Sequence, residues 1–141
     1  MAQDTSLAAR RAILTRLKAE APTSGVIAAA SIYPPQTPPT RAWPFIRYGA
    51  ATQLPWKPTG ADGSLIAVAV HSFARGPGED QASRIGAWVA RVLDGAVLDL
   101  SAETGFPATA RVRHTGNTTL QDPEEADAWH VVTNLEIIVA S

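Results

Sequence analysis

Two stretches decide the fold: Thr109–Leu120, TARVRHTGNTTL, and Ala128–Ala140, AWHVVTNLEIIVA. In the first, the even positions Ala110, Val112, His114, Thr118 and Leu120 are the less polar set, and Arg111, Arg113, Thr115, Asn117 and Thr119 make a polar row. In the second, the odd positions Trp129, Val131, Leu135, Ile137 and Val139 are apolar. Alternation with a period of two marks a strand with one buried face. A hairpin must bring the two apolar rows to one side, because a slip of one residue turns every side chain over. Pairing Leu120 with Trp129 does this. The same register sets Val112 opposite Ile137, Ala110 opposite Val139, and Arg113 opposite Glu136 on the outer side, a favourable pair of opposite charges. The connecting QDPEEADA is an acidic, solvated turn.

Toward the N-terminus, Gly76-Pro77-Gly78 breaks the chain and Glu79 and Asp80 put negative charge at a helix start. Ala82, Ile85, Val89 and Val92 then follow at helical spacing, so a helix runs to about Leu93, with Trp88 off its apolar stripe. Ser64–Ala74, SLIAVAVHSFA, reads as a strand buried on both faces, and Phe45–Thr52 reads as another. The loop between them, QLPWKPTGADG, is too long for a tight hairpin turn. Pro34–Pro44 holds five prolines, which remove backbone donors and favour an extended surface arm, either a stiff linker or a docking element. Val26–Ala30 can form one helical turn before Ser31–Tyr33 extends. Leu7, Ile13, Leu14, Leu17 and Ala21 predict a first helix over about Ser6–Ala21, with Asp4, Thr5 and Ser6 as N-cap oxygens and Pro22 as its stop. The order α-β-β-α-β-β predicts one α+β domain over residues 1–141, an antiparallel sheet of about four strands with two main helices packed on one face.

The chain has 141 residues, 45% of them hydrophobic, which suits one domain with one core. It has no cysteine, which excludes disulfides, thiolate nucleophiles, cysteine-held zinc and Fe–S clusters, and fits folding in a reducing cytosol. A formal charge of -1 gives no net attraction to phosphate or anionic lipid. The longest purely apolar run is Leu65–Val70, too short to span a membrane, and MAQDTSLAARRA does not read as a signal peptide. The expectation is a soluble intracellular protein.

Catalytic chemistry has no visible carrier. In the hairpin register His114 and His130 point to opposite faces, which argues against a metal site built from His71, His114 and His130. Asp62, Glu79, Asp80, Asp94, Asp99 and Glu103 are dispersed among element ends and loops. Ser72 beside His71 lacks the glycine elbow of a nucleophile. No catalytic, metal or cofactor-binding residue is expected. Arg47, Arg111 and Arg113 make a basic strand face with only Tyr48 as an aromatic neighbour, unlike a base-stacking sheet, and read as a solvated face or a subunit contact. Trp129 reads as core. Trp43 and Trp56 sit in proline-rich loops, where they either anchor a protein interface or fold back onto their own domain. Pro55 and Pro58 stiffen the backbone around Trp56 and Lys57, so Leu54–Gly63 is expected to project as a contact element with that pair at its working end.

A chain without catalytic machinery but with rigid aromatic loops suits an assembly protein. Its whole pattern resembles the tail terminator, or tail-completion, family of long-tailed bacteriophages. The resemblance is carried by the first helix with Leu14 and Leu17, the Ile32-Tyr33-Pro34 step, the Trp43-Pro44-Phe45-Ile46 entry into a strand, and the strand ending His71-Ser72-Phe73. The helix with Ile85 and Val89 and the closing Val131–Val139 strand complete it. The resemblance implies a structural subunit, not an enzyme, that forms a ring, usually a homohexamer, on the tail tube. Such a ring ends tube polymerisation and meets the head connector, or stopper, protein, and DNA passes through its lumen without being read by sequence. It further implies a virion protein of the tail or neck, assembled in the host cytoplasm, with no cofactor and no membrane partner. Another neck or connector protein, a small α+β host binding module and an enzyme are the competing classes.

Overall fold

The protein is described from a computed structural model over residues 5–35, 43–55, 63–76, 78–105, 107–122 and 127–140. Helix α1 (Ser6–Glu20) buries Ala9, Ile13 and Leu17 on one stripe and leaves Arg11 and Arg16 outside. Thr5 occupies its N-cap position but makes no side-chain cap bond, and its hydroxyl is buried without a hydrogen-bond partner. Short 3₁₀ turns at Ala21–Thr23 and Ala29–Ser31 lead into strand β1 (Ile32–Tyr33). Strands β2 (Phe45–Pro55) and β3 (Gly63–Arg75) follow, then helix α2 (Asp80–Leu93), strand β4 (Val97–Asp99), the single-turn helix α3 (Ser101–Thr104), and strands β5 (Thr109–Gln121) and β6 (Ala128–Ala140).

The strands form one sheet in the order β1-β2-β3-β6-β5-β4. β1 runs parallel to β2 and the other neighbours are antiparallel. Among the described residues the sheet is therefore mixed and six-stranded, with three α-helices, which corrects the expected antiparallel four-strand sheet with two. The additions are short: β1 and β4 hold two and three residues, too few to show a period, and each becomes a strand by docking on a longer neighbour.

The hairpin register is as expected at Ala110–Val139, Val112–Ile137 and Arg113–Glu136, and then shifts at a bulge between His114 and Gly116. Beyond it Leu120 lies opposite His130 and Gln121 opposite Trp129, one residue away from the expected Leu120–Trp129 pair. The extra residue turns Leu120 to the outer face, where it is 46% exposed. β2 and β3 also run further than expected, pairing through Pro55 and Ser64. The expected ten-residue loop Leu54–Gly63 is thereby reduced to a connection over residues 56–62.

One face of the sheet carries Ile46, Tyr48, Ile66, Val68, Val70, Val112, Val131, Leu135 and Ile137, which form a single buried cluster with Ile13, Leu17, Ile85, Val89 and Leu93 of the two long helices. Trp88 belongs to this core at 4% exposure, against its expected place off the stripe, because α2 packs on α1 as well as on β3 and β6 and so buries a broader face. Gly86 lets α2 approach β6: a Cβ there would lie 2.5 Å from Val131 Cγ1.

Candidate protein–protein interface

Among the described residues, no helix packs on the other face of the sheet. Alternation along the strands puts Phe45, Arg47, His71, Phe73, Arg75 and His130 on this side, because their neighbours Ile46, Tyr48, Ser72, Ala74 and Val131 are the ones turned into the core. Ladder pairing aligns Phe45, Phe73, His130 and Leu120 in one row across four strands. Within it Phe45 and Phe73 stack at 4.6 Å, and Phe73 and His130 stack at 4.3 Å. The rings of Trp43 and Tyr33 both stand edge-on to Phe45, at 4.9 Å and 6.4 Å. Phe45 is 2% exposed here although it lies outside the main core cluster, so this end of the sheet holds a second, aromatic packing centre.

Arginines rim the cluster. The Arg75 guanidinium lies 4.6 Å from the Trp43 ring centre, and that of Arg47 lies 5.3 Å from Phe73. Because the ring faces are spent on one another, the array offers edges and guanidinium groups outward instead of open stacking platforms. That suits protein contact better than base stacking.

His71 and His130 occupy the middle of this face. His71 Nδ1 and His130 Nε2 are 2.6 Å apart, so the N–H of one ring donates a hydrogen bond to the bare nitrogen of the other. Gly49 makes room for the pair, since a Cβ on it would lie 2.4 Å from His71 Nε2. Burial, the neighbouring His71 and the Arg47 charge push His130 down to about 4, with Asp122 acting weakly in the opposite direction. Burial and Arg47 likewise lower His71. Both rings are therefore mainly neutral at pH 7, and the N–H of one can donate to the bare nitrogen of the other. His114 lies on the opposite face against Leu135, with its Nε2 2.8 Å from Asn117 Oδ1.

Of the residues expected to make contacts, Trp43 packs against Phe45 and Arg75 and keeps part of its surface open. Trp56 and Lys57 lie outside the described residues. The structure separates Arg47 from Arg111 and Arg113: the first joins the aromatic cluster, whereas Arg113 pairs with Glu136 at 2.6 Å. The aromatic row and the histidine pair were not drawn from the sequence. Their signal is the alternation Phe45, Arg47 in one strand and His71, Phe73, Arg75 in the next, which becomes informative only once β3 is known to sit between β2 and β6.

No curated protein matches the sequence. A chain from the virion of a native gene transfer agent (GTA) particle has a similar fold, with a TM-score of 0.78 at 16% identity over 98% of each chain. A second solved structure aligns with a TM-score of 0.60 at 19% identity, covering 99% of this chain and 98% of its own. The family model described as tail completion protein gp17 matches residues 11–140, from within α1 to the end of β6. On that match the chain belongs to the tail completion protein gp17 family and is a structural protein of the phage tail.

Proposed function

We propose that this protein closes the tail tube: copies assemble into a ring on the tube end, stop its polymerisation and join the tail to the head connector. The observation that carries the proposal is the family match over residues 11–140. It is supported by the likeness of fold to a chain of a phage-like virion particle. A cap works by complementarity. Each subunit satisfies the exposed end of the stack and withholds the surface that would recruit another layer. A ring needs head-to-tail contacts that close on themselves, and a homohexamer is the form proposed here. The formal charge of -1 suits a lumen through which DNA passes without being held by its phosphates. Assembly in the host cytoplasm and residence at the tail–head junction follow from the same reading.

Trp43 with its arginine rim, and the connection bearing Trp56 and Lys57, are the proposed contacts with the tube or connector. Tryptophan and arginine are the residue types that dominate binding energy at protein interfaces. The test is electron microscopy of particles made without this protein. Overlong tails separated from filled heads are expected, and joined particles with tails of normal length would overturn the proposal. Shortening the connection at residues 56–62 to a Gly/Asn turn tests the contact role: the subunit should melt as before while heads and tails fail to join. Joining at normal efficiency would rule that role out.

A further inference from the structure

The outermost strands cover little of their neighbours. β1 pairs only with Ile46 and Arg47 of β2. β4 pairs only with Thr109–Arg111 of β5, and the turn before it adds Gly95 N–H to Val112 O, Val112 N–H to Ala96 O, and His114 N–H to Asp94 Oδ1. From Tyr48 to Pro55 on β2, and from Thr115 to Leu120 on β5, no described strand lies on the side away from β3 or β6. Both stretches, YGAATQLP and TGNTTL, are without charge, whereas the covered part of β5 carries Arg111 and Arg113. A long strand edge without charges is a template for another strand, and proteins that stay monomeric usually guard such edges. The backbone of Val112 and His114 points to the β4 side. Beyond the bulge Asn117 and Thr119 continue the same class of pair with β6, opposite Thr133 and Val131. Their backbone groups therefore point outward along the open edge.

We propose that these two edges meet in neighbouring copies of this chain, the β5 edge of one against the β2 edge of the next, so that the sheet continues around the ring. This rests on the ring reading above. The edges are opposite ends of one sheet, so the contact is head-to-tail and can close. Within the sheet β2 and β5 run in opposite directions, three antiparallel steps apart. A neighbour rotated about an axis along the strands therefore presents β2 antiparallel to β5. The covered halves also dictate a stagger, because β1 and β4 block opposite ends of the two edges. Thr52 is level with Ala67 of β3, and Thr118 is level, through Val132, with His71. Setting Thr52 of one copy beside Thr118 of the next thus offsets them by four residues. Spread over four long strands, this inclines the strands by about 35°, a tilt found in closed sheets.

The chain has no cysteine, which permits a direct test. Thr52 and Thr118 are exposed on the helix-free face, so a full-length Thr52→Cys/Thr118→Cys variant places one thiol at each edge. Native mass of the wild type and the variant, alone and on tail tubes, reports the ring, and a denaturing gel after oxidation reports the pairing. A ring-sized species with a covalent ladder up to the full ring, absent from either single variant, is expected. A ring-sized species without the ladder overturns the edge pairing and leaves the ring reading standing. No ring in the wild type under either condition overturns both. A Thr118→Lys variant, expected to keep the subunit's melting temperature and lose the ring, is independent of disulfide geometry. Rings formed by it as readily as by the wild type would also overturn the pairing.

Discussion

On the helix-covered face of the sheet, Ile66, Val70, Val131 and Ile137 lose nearly all contact with solvent. On the opposite face of the same strands, His71, Phe73 and His130 stay half-buried and stack on one another. The first face is held by apolar burial, which has no preferred direction and scales with area. The second depends on ring geometry, guanidinium placement and the protonation of two imidazoles. One face therefore sets the stability of the subunit, and the other is free to serve contacts and to respond to its surroundings.

The contrast is broken most severely by emptying the covered face. Ile137→Ala is expected to cost about 2–5 kcal/mol in denaturant unfolding, and a loss below about 1 kcal/mol would show that the core lies elsewhere. Gly86→Ala is expected to destabilise by about 1–3 kcal/mol from overpacking, less the roughly 1 kcal/mol that alanine gains in a helix. Combining it with Val131→Ala should recover part of that loss, and strict additivity of the two changes would deny the close approach.

The helix-free face should respond to acid. His130 is depressed from the ordinary value of 6.5 to about 4, so between these pH values the unfolded chain binds more protons than the folded one. Its contribution to stability is full above about pH 6.5 and is lost as pH falls toward 4. The melting temperature of the wild type should therefore fall more between pH 7.5 and 4.5 than that of His130→Asn, whereas parallel curves would contradict the assignment. The smallest effect is expected at Arg113 and Glu136. They are joined at 2.6 Å but largely solvated on the arginine side, and Glu136→Ala should change stability by only about 0–1 kcal/mol. A larger loss in the assembled particle than in the subunit would place the pair in an interface.

How far the fold is legible in the sequence depends on the length of each element. Thirteen-residue strands with alternating burial reveal themselves, and the pairing from Ala110 to Arg113 follows from their pattern alone. The bulge does not: Gly116 is its only local sign, and a glycine in a strand has several readings. Ser31–Tyr33 is expected to extend, and its Ile32–Tyr33 becomes β1 by docking on β2; nothing local announces β4, which takes its conformation from β5. The histidine pair is hidden for another reason. His71 and His130 are 59 positions apart and meet because β3 pairs with β6, an order that alternation within single strands cannot supply. The apolar stripe of α2 is readable on the sheet side, but the packing of α2 on α1, which widens its buried face, is not, and Trp88 is among the residues buried.

The capping role is tested most directly by adding the purified protein to tail-tube subunits during polymerisation and measuring the lengths of the resulting tubes. Tubes are expected to shorten as the protein is increased, and tubes isolated with it bound should not elongate when fresh subunits are supplied. Tubes of unchanged length that continue to grow in saturating protein would contradict the capping role.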